Sequence, residues 1–166
     1  MKTIKIIALV ILVVLLSVFA VGCINNDSTN VDKWNAMVTY ETIKPNSCEI
    51  TYMDLLSSQF PRPYSLDADN LTGFISFLKE SNLSFDEVNY TEEDKSATLN
   101  GYYSVHMAHY SGEDYNSATD KIDLFFVVGK NGYVYLSLPK ESDKTTIKST
   151  APIDLNAFIE YYESAK

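Results

Sequence analysis

Arginine is almost missing from this chain. Of its 166 residues 13 are basic and 22 acidic, for a formal net charge of −9, and the only arginine is Arg62. One guanidinium cannot build a cluster that clamps phosphates, and an acidic field repels nucleic acid and anionic head groups. No nucleic-acid partner is expected. Cysteine is as scarce: Cys23 and Cys48 are the two, with no Cys-x-x-Cys pair and no zinc-ligand spacing. Both histidines fall in "HMAH", His106 and His109. On a strand, a spacing of three sends them to opposite faces, where they cannot chelate one ion. There is no Gly-rich phosphate loop, and no serine sits in a Gly-x-Ser-x-Gly elbow. The carboxylates are many, but they lie in polar, loop-like stretches where nothing would raise a pKa. These absences point to a protein without cofactor and without catalysis.

What is present begins with the leader. Lys2 and Lys5 precede an apolar run over residues 6–21 broken only by Ser17, and the run closes on Ala20, Val21, Gly22 and Cys23 before the polar stretch "INNDSTN". A positive end, an apolar stretch and a small-residue exit describe a signal peptide. At 16 residues the run is also near the roughly 17–25 of a spanning helix, so an uncleaved anchor is the other reading. The cysteine at the boundary discriminates, because it has no evident use in an anchor helix. Residues 20–23 resemble the lipobox of prokaryotic lipoproteins, with Ala20 where that family usually has a larger aliphatic residue. The resemblance covers the first 23 residues. It implies diacylglyceryl transfer to Cys23 and cleavage after Gly22, hence a membrane partner through the acylated N-terminus and a location on the extracytoplasmic face. Without Lys2 and Lys5, 11 basic residues face 22 acidic ones, a net of −11. The expected organisation is a signal peptide over 1–22, a polar tether over 23–32 and one domain over 33–166.

Within that domain, "DKWNAMVTYETI" reads as a short helix running into an extended stretch. "KPNS" is a turn and residues 48–53 a strand, which together give a hairpin around Pro45-Asn46. Pro61 and Pro63 make "SSQFPRPYSLDAD" a loop, either a recognition loop around Arg62 or a rigid connector. Leu71, Phe74, Ile75 and Leu78 recur at i, i+3, i+4 and i+7 and predict an amphipathic helix, capped by Asp67 or Asp69 and ended by Ser81-Asn82. "NLSFDEVNYTEEDKSATLNG" reads as a short β-like piece and then an acidic loop. "YYSVHMAHY" is a strand with Tyr103, Val105 and Met107 on one face and Tyr102, Ser104, His106 and Ala108 on the other. "KIDLFFVV" and "YVYLSLP" form a hairpin across "GKNG", and the first, apolar on both faces, is expected at the centre of the sheet. Leu155, Phe158, Ile159 and Tyr162 stripe a terminal helix capped by Asp154. The fold class is α+β: a single small domain with an antiparallel sheet of about four to six strands and two amphipathic helices packed on one face. Phe158 and Ile159 are expected beside Phe74 and Leu78. This layout loosely resembles small lipid-anchored domains of unknown function in gut bacteria, a likeness that implies no activity.

Cys48 has no partner but Cys23 and reads as a buried, inert thiol. Metal ligation has one set of candidates, His109 with Asp114, Asn116 and Asp120 of the acidic loop 113–120, whose spacing lacks the EF-hand glycine and distal glutamate. The fullest feature is tyrosine, 12 in all. Tyr102, Tyr133 and Tyr135 are candidates for a binding face toward an envelope protein, peptide or glycan, against the plain reading that tyrosine suits strands. The leading expectation is therefore a lipid-anchored, non-catalytic binding domain at the cell envelope. The alternatives are a small envelope enzyme or metal-dependent module using His109 and the loop 113–120, and an inhibitor or immunity-type protein.

Overall fold

The computed structural model describes residues 29–54, 61–99, 101–112, 115–138 and 145–166. The signal peptide, Cys23, most of the tether, and Glu113 and Asp114 lie outside the described residues. The elements in chain order are α1 (Asn30–Trp34, continued by a π-helical turn Asn35–Thr39), β1 (Ser47–Met53), β2 (Pro63–Ser65) and α2 (Ala68–Glu80). They are followed by β3 (Phe85–Asn89), α3 (Glu92–Leu99), β4 (Tyr102–Tyr110), β5 (Lys121–Val128), β6 (Val134–Ser137), β7 (Thr145–Ser149) and α4 (Leu155–Ser164). The strands form one antiparallel sheet of order β2-β1-β4-β5-β6-β7-β3. The fold is α+β, with seven strands rather than four to six. Among the described residues no helix is long and apolar enough to cross a membrane.

The period-2 pattern of β4 sorts the layers. Tyr103, Val105 and Met107 enter the main core, and so do Leu124, Phe126 and Val128 of the central strand β5. The α1 segment lays Trp34 edge-on against Phe126 with centroids 5.3 Å apart. The Asp67 carboxylate accepts from the Asn70 N–H at 2.8 Å and starts α2, and Asp154 accepts from Asn156 and Ala157 and starts α4. Each acceptor satisfies N–H groups that a helix start leaves unpaired. The two apolar stripes then meet on this face, with Phe74 and Phe158 fully buried and 5.8 Å apart and Leu78 and Ile159 beside them.

Five local readings are corrected. Pro63–Ser65, read as part of a loop, is the edge strand β2 paired to β1, a position that tolerates proline. The segment read as running from a short helix into an extended stretch continues instead as the π-helical turn Asn35–Thr39. No hairpin forms around Pro45-Asn46. The backbone of residues 40–46 is irregular, and β1 pairs with β4 and β2 instead, because β4 is the long strand that can satisfy all seven of its residues. The stretch read as an acidic loop is helix α3. Thr91 Oγ1 accepts from the Asp94 N–H at 3.2 Å while Asp94 Oδ2 accepts from the Thr91 N–H at 3.1 Å, a reciprocal cap. The stretch Thr145–Ser149, given no element from the sequence, is β7.

Candidate functional site

The second sheet face divides into a covered and an open part. The covered part lies under α3. Gly129 makes the approach possible: a Cβ there would sit 2.6 Å from Asn131 Oδ1, 3.1 Å from the Tyr135 ring and 3.4 Å from Ala97 Cβ. Asp94, its side chain 3% exposed, accepts from Lys148 Nζ at 2.6 Å and from the Tyr135 hydroxyl at 2.8 Å through Oδ1, and from the Thr91 hydroxyl at 2.7 Å through Oδ2. Burial pushes the Asp94 carboxyl up, but the bonds from Lys148, Thr91 and Tyr135 outweigh it and hold the group down at about 2. The same burial pushes the Tyr135 phenol up. The Lys148 ammonium lies 4.0 Å from the centre of the Tyr133 ring.

The candidate tyrosines therefore part company. Tyr135 is 1% exposed and committed to Asp94, so it belongs to the layer that pins α3 and not to an open surface. Tyr133 is half-buried against Lys148, and Tyr102 is half-buried on β4. The face opposite α2 and α4 is held by α3 at β6 and β7 and is open at β5. There Phe125, 52% exposed, stacks on His106 at 4.1 Å with the rings 6° from parallel. His106 Nε2 lies 2.7 Å from Asp123 Oδ1, and the carboxylate can only accept, so that nitrogen carries the proton. The Tyr115 hydroxyl donates to the same oxygen at 2.8 Å; this bond, with some burial, raises the Tyr115 phenol. Tyr110 packs edge-on to Tyr115, and Lys121 lies over the Tyr115 ring at 4.3 Å. Sequence reasoning placed His106 on this face but not its partners. The cross-strand register His106↔Phe125 brings them together, and only pairing β4 with β5 could have shown it.

The metal candidates are not assembled by what is described. His109 Nδ1 donates to the Lys44 carbonyl at 2.7 Å, the Asp120 carbonyl accepts from the Ser111 N–H at 3.3 Å, and Asp114 lies outside the described residues. Among the described residues no group of three His, Cys, Asp or Glu side chains could hold a metal ion. Cys48 is 1% exposed in the core, where burial pushes its thiol up and keeps it unreactive.

A second concavity lies on the helical side, a cleft of about 410 Å³ between the π-helical turn, residues 41–46 and α2. Met37, Leu66, Leu71 and Ile75 are its apolar lining. A shallower groove of about 600 Å³ runs between α2 and α4 over Gly73, Phe77 and Tyr161. No protein-family model, curated protein or solved structure matches this chain.

Proposed function

We propose that this protein is a lipid-anchored, extracytoplasmic binding domain that does no chemistry. In this reading the chain is cut after Gly22 and acylated on Cys23, and residues 24–28 tether the domain close to the membrane surface. Several acyl chains on one cysteine hold firmly, since each buried methylene adds about 0.8 kcal/mol. The observation that carries the binding role is Phe125. A half-exposed phenylalanine at the centre of a seven-stranded sheet, stacked on a His106 that is itself bonded to Asp123 and packed against Tyr115, offers an apolar contact beside polar groups. Such an arrangement marks partner surfaces more often than isolated exposed residues do.

Two measurements test it. Intact mass of the native protein should give a chain beginning at Cys23 with an acyl adduct, and Cys23→Ser should abolish the adduct; an unmodified chain retaining Met1 overturns the anchor. For the face, the full chain in its own membranes is cross-linked to its neighbours. Phe125→Asp should remove the captured partner at unchanged expression level, whereas capture unaffected by Phe125→Asp and by Tyr115→Ser rules the face out.

A further inference from the structure

The cleft beside α2 has the attributes of a preformed small-molecule site, independent of the sheet face and of the anchor. Its wall is fixed before any ligand arrives. The π-helical turn closes with the Tyr40 N–H donating to the Asn35 carbonyl at 2.8 Å, and the next residues fold back, with the Ile43 N–H and the Thr42 hydroxyl both donating to the Ala36 carbonyl. His109 holds the Lys44 carbonyl. Asn46 is clamped to β4, its amide donating to the Tyr110 carbonyl at 2.8 Å and its side-chain oxygen accepting from the Tyr110 N–H at 3.2 Å. Between them Glu41 is held at φ +50, a left-handed conformation that non-glycine residues seldom take. Strain of this kind and π-turns both concentrate at functional sites, where the surrounding structure maintains them.

The chemistry of the wall selects the ligand. The cleft volume falls in the range of small-molecule sites, and the apolar lining calls for a hydrocarbon body. The hydroxyls of Thr72 and Ser76 are already spent on α2's own carbonyls, those of Ala68 and Thr72. Glu41 is the one acidic residue among the described lining residues, and Lys79 neutralises it at 2.5 Å. Lys44, the one basic residue of that lining, has no salt bridge among the described residues. Lys44 also acts on the Glu41 carboxylate at longer range, helping to hold it below its usual value, so two ammonium groups against one carboxylate leave a net single positive charge beside an apolar floor. We infer that the cleft binds a small monocarboxylate with an apolar body, its hydrocarbon part on Met37, Leu71 and Ile75 and its carboxylate at the Lys44 ammonium.

Three six-carbon probes with one body and different heads test this on the full-length protein: hexanoate, hexan-1-ol and hexylamine, titrated by two-dimensional amide NMR. Hexanoate should bind with Kd of about 1 mM, as expected for so few atoms, and shift the resonances of Met37, Ile75 and Ser76. Hexan-1-ol should bind more weakly and hexylamine not at all. Lys44→Gln should weaken hexanoate about threefold to tenfold and leave hexan-1-ol unchanged. Ser76→Trp, a substitution at an exposed helix position, should fill the cleft and abolish both. Equal binding of all three heads, shifts confined to residues outside the cleft, or hexanoate binding that survives Ser76→Trp would each overturn the assignment.

Discussion

Asp94 is the residue on which the second face depends. Its carboxylate sits in a nearly dry site and is tolerated there because four donors converge on it. Replacing it with Ala would strand the Lys148 ammonium and the Tyr135 hydroxyl, so Asp94→Ala should cost about 3–5 kcal/mol in urea unfolding at pH 7. The pH dependence has a definite sign. The folded-state value of about 2 lies below the ordinary aspartate value of about 3.9, so the folded form binds its proton less readily than the unfolded form. Its contribution is fully present above about pH 4 and is lost as pH falls through about 2, an amount of about 2 kcal/mol. The stability difference between the native protein and Asp94→Asn should accordingly shrink between pH 4 and pH 2 and stay flat above it. A difference that widens on acidification contradicts the bonding described. Gly129 belongs to the same layer. Gly129→Ala should destabilise by about 1–3 kcal/mol, because a new methyl group would press on Asn131 Oδ1, which is bonded to the Tyr133 N–H, and on the pinned Tyr135 ring.

At the scale of elements, α4 closes the main core from the end of the chain. A terminal helix stays ordered only when docked, and Phe158 is buried between Phe74 and Tyr103. Phe158→Ala should cost about 3–5 kcal/mol, and deleting residues 153–166 should lower the melting temperature sharply. A melting temperature indifferent to the deletion would mean that the helix does not dock. Helices α2 and α4 were legible in the sequence because each has a full apolar stripe and an aspartate cap. Helix α3 was not, because Ala97 and Thr98 are its only other buried residues besides Asp94 and no stripe forms. Its signal was local, a threonine followed three residues later by aspartate, which a search for apolar periodicity passes over. Thr91→Ala should cost about 1 kcal/mol or more through that cap. Strand β7 escaped notice for the related reason that TTIKS carries one large apolar residue. The partners of His106 were out of reach altogether, since they are set by register between strands and by no spacing within one.

For the whole molecule, the adjacent residues Phe125 and Phe126 give a direct comparison of the two faces. Phe126→Ala should cost about 3–5 kcal/mol and Phe125→Ala well under that, as measured by chemical unfolding, because one ring leaves a packed core and the other a half-exposed patch. The strand order has a further consequence, in time rather than in space. Strand β1 finds its long partner only when Ser47 meets Ala108, and β3 only when Phe85 meets Ser149. The β2–β1 pair at one end of the sheet and β3 at the other are thus laid down early by the ribosome, and β1 and β3 must wait some sixty residues for β4 and β7. Loops of that length close slowly, and pairings of this kind form late. A chain emerging from its N-terminus has no finished sheet until residue 149 is out, and α1 has no Phe126 to pack on until β5 is made. That order of strands delays commitment to the fold until nearly the whole chain is present.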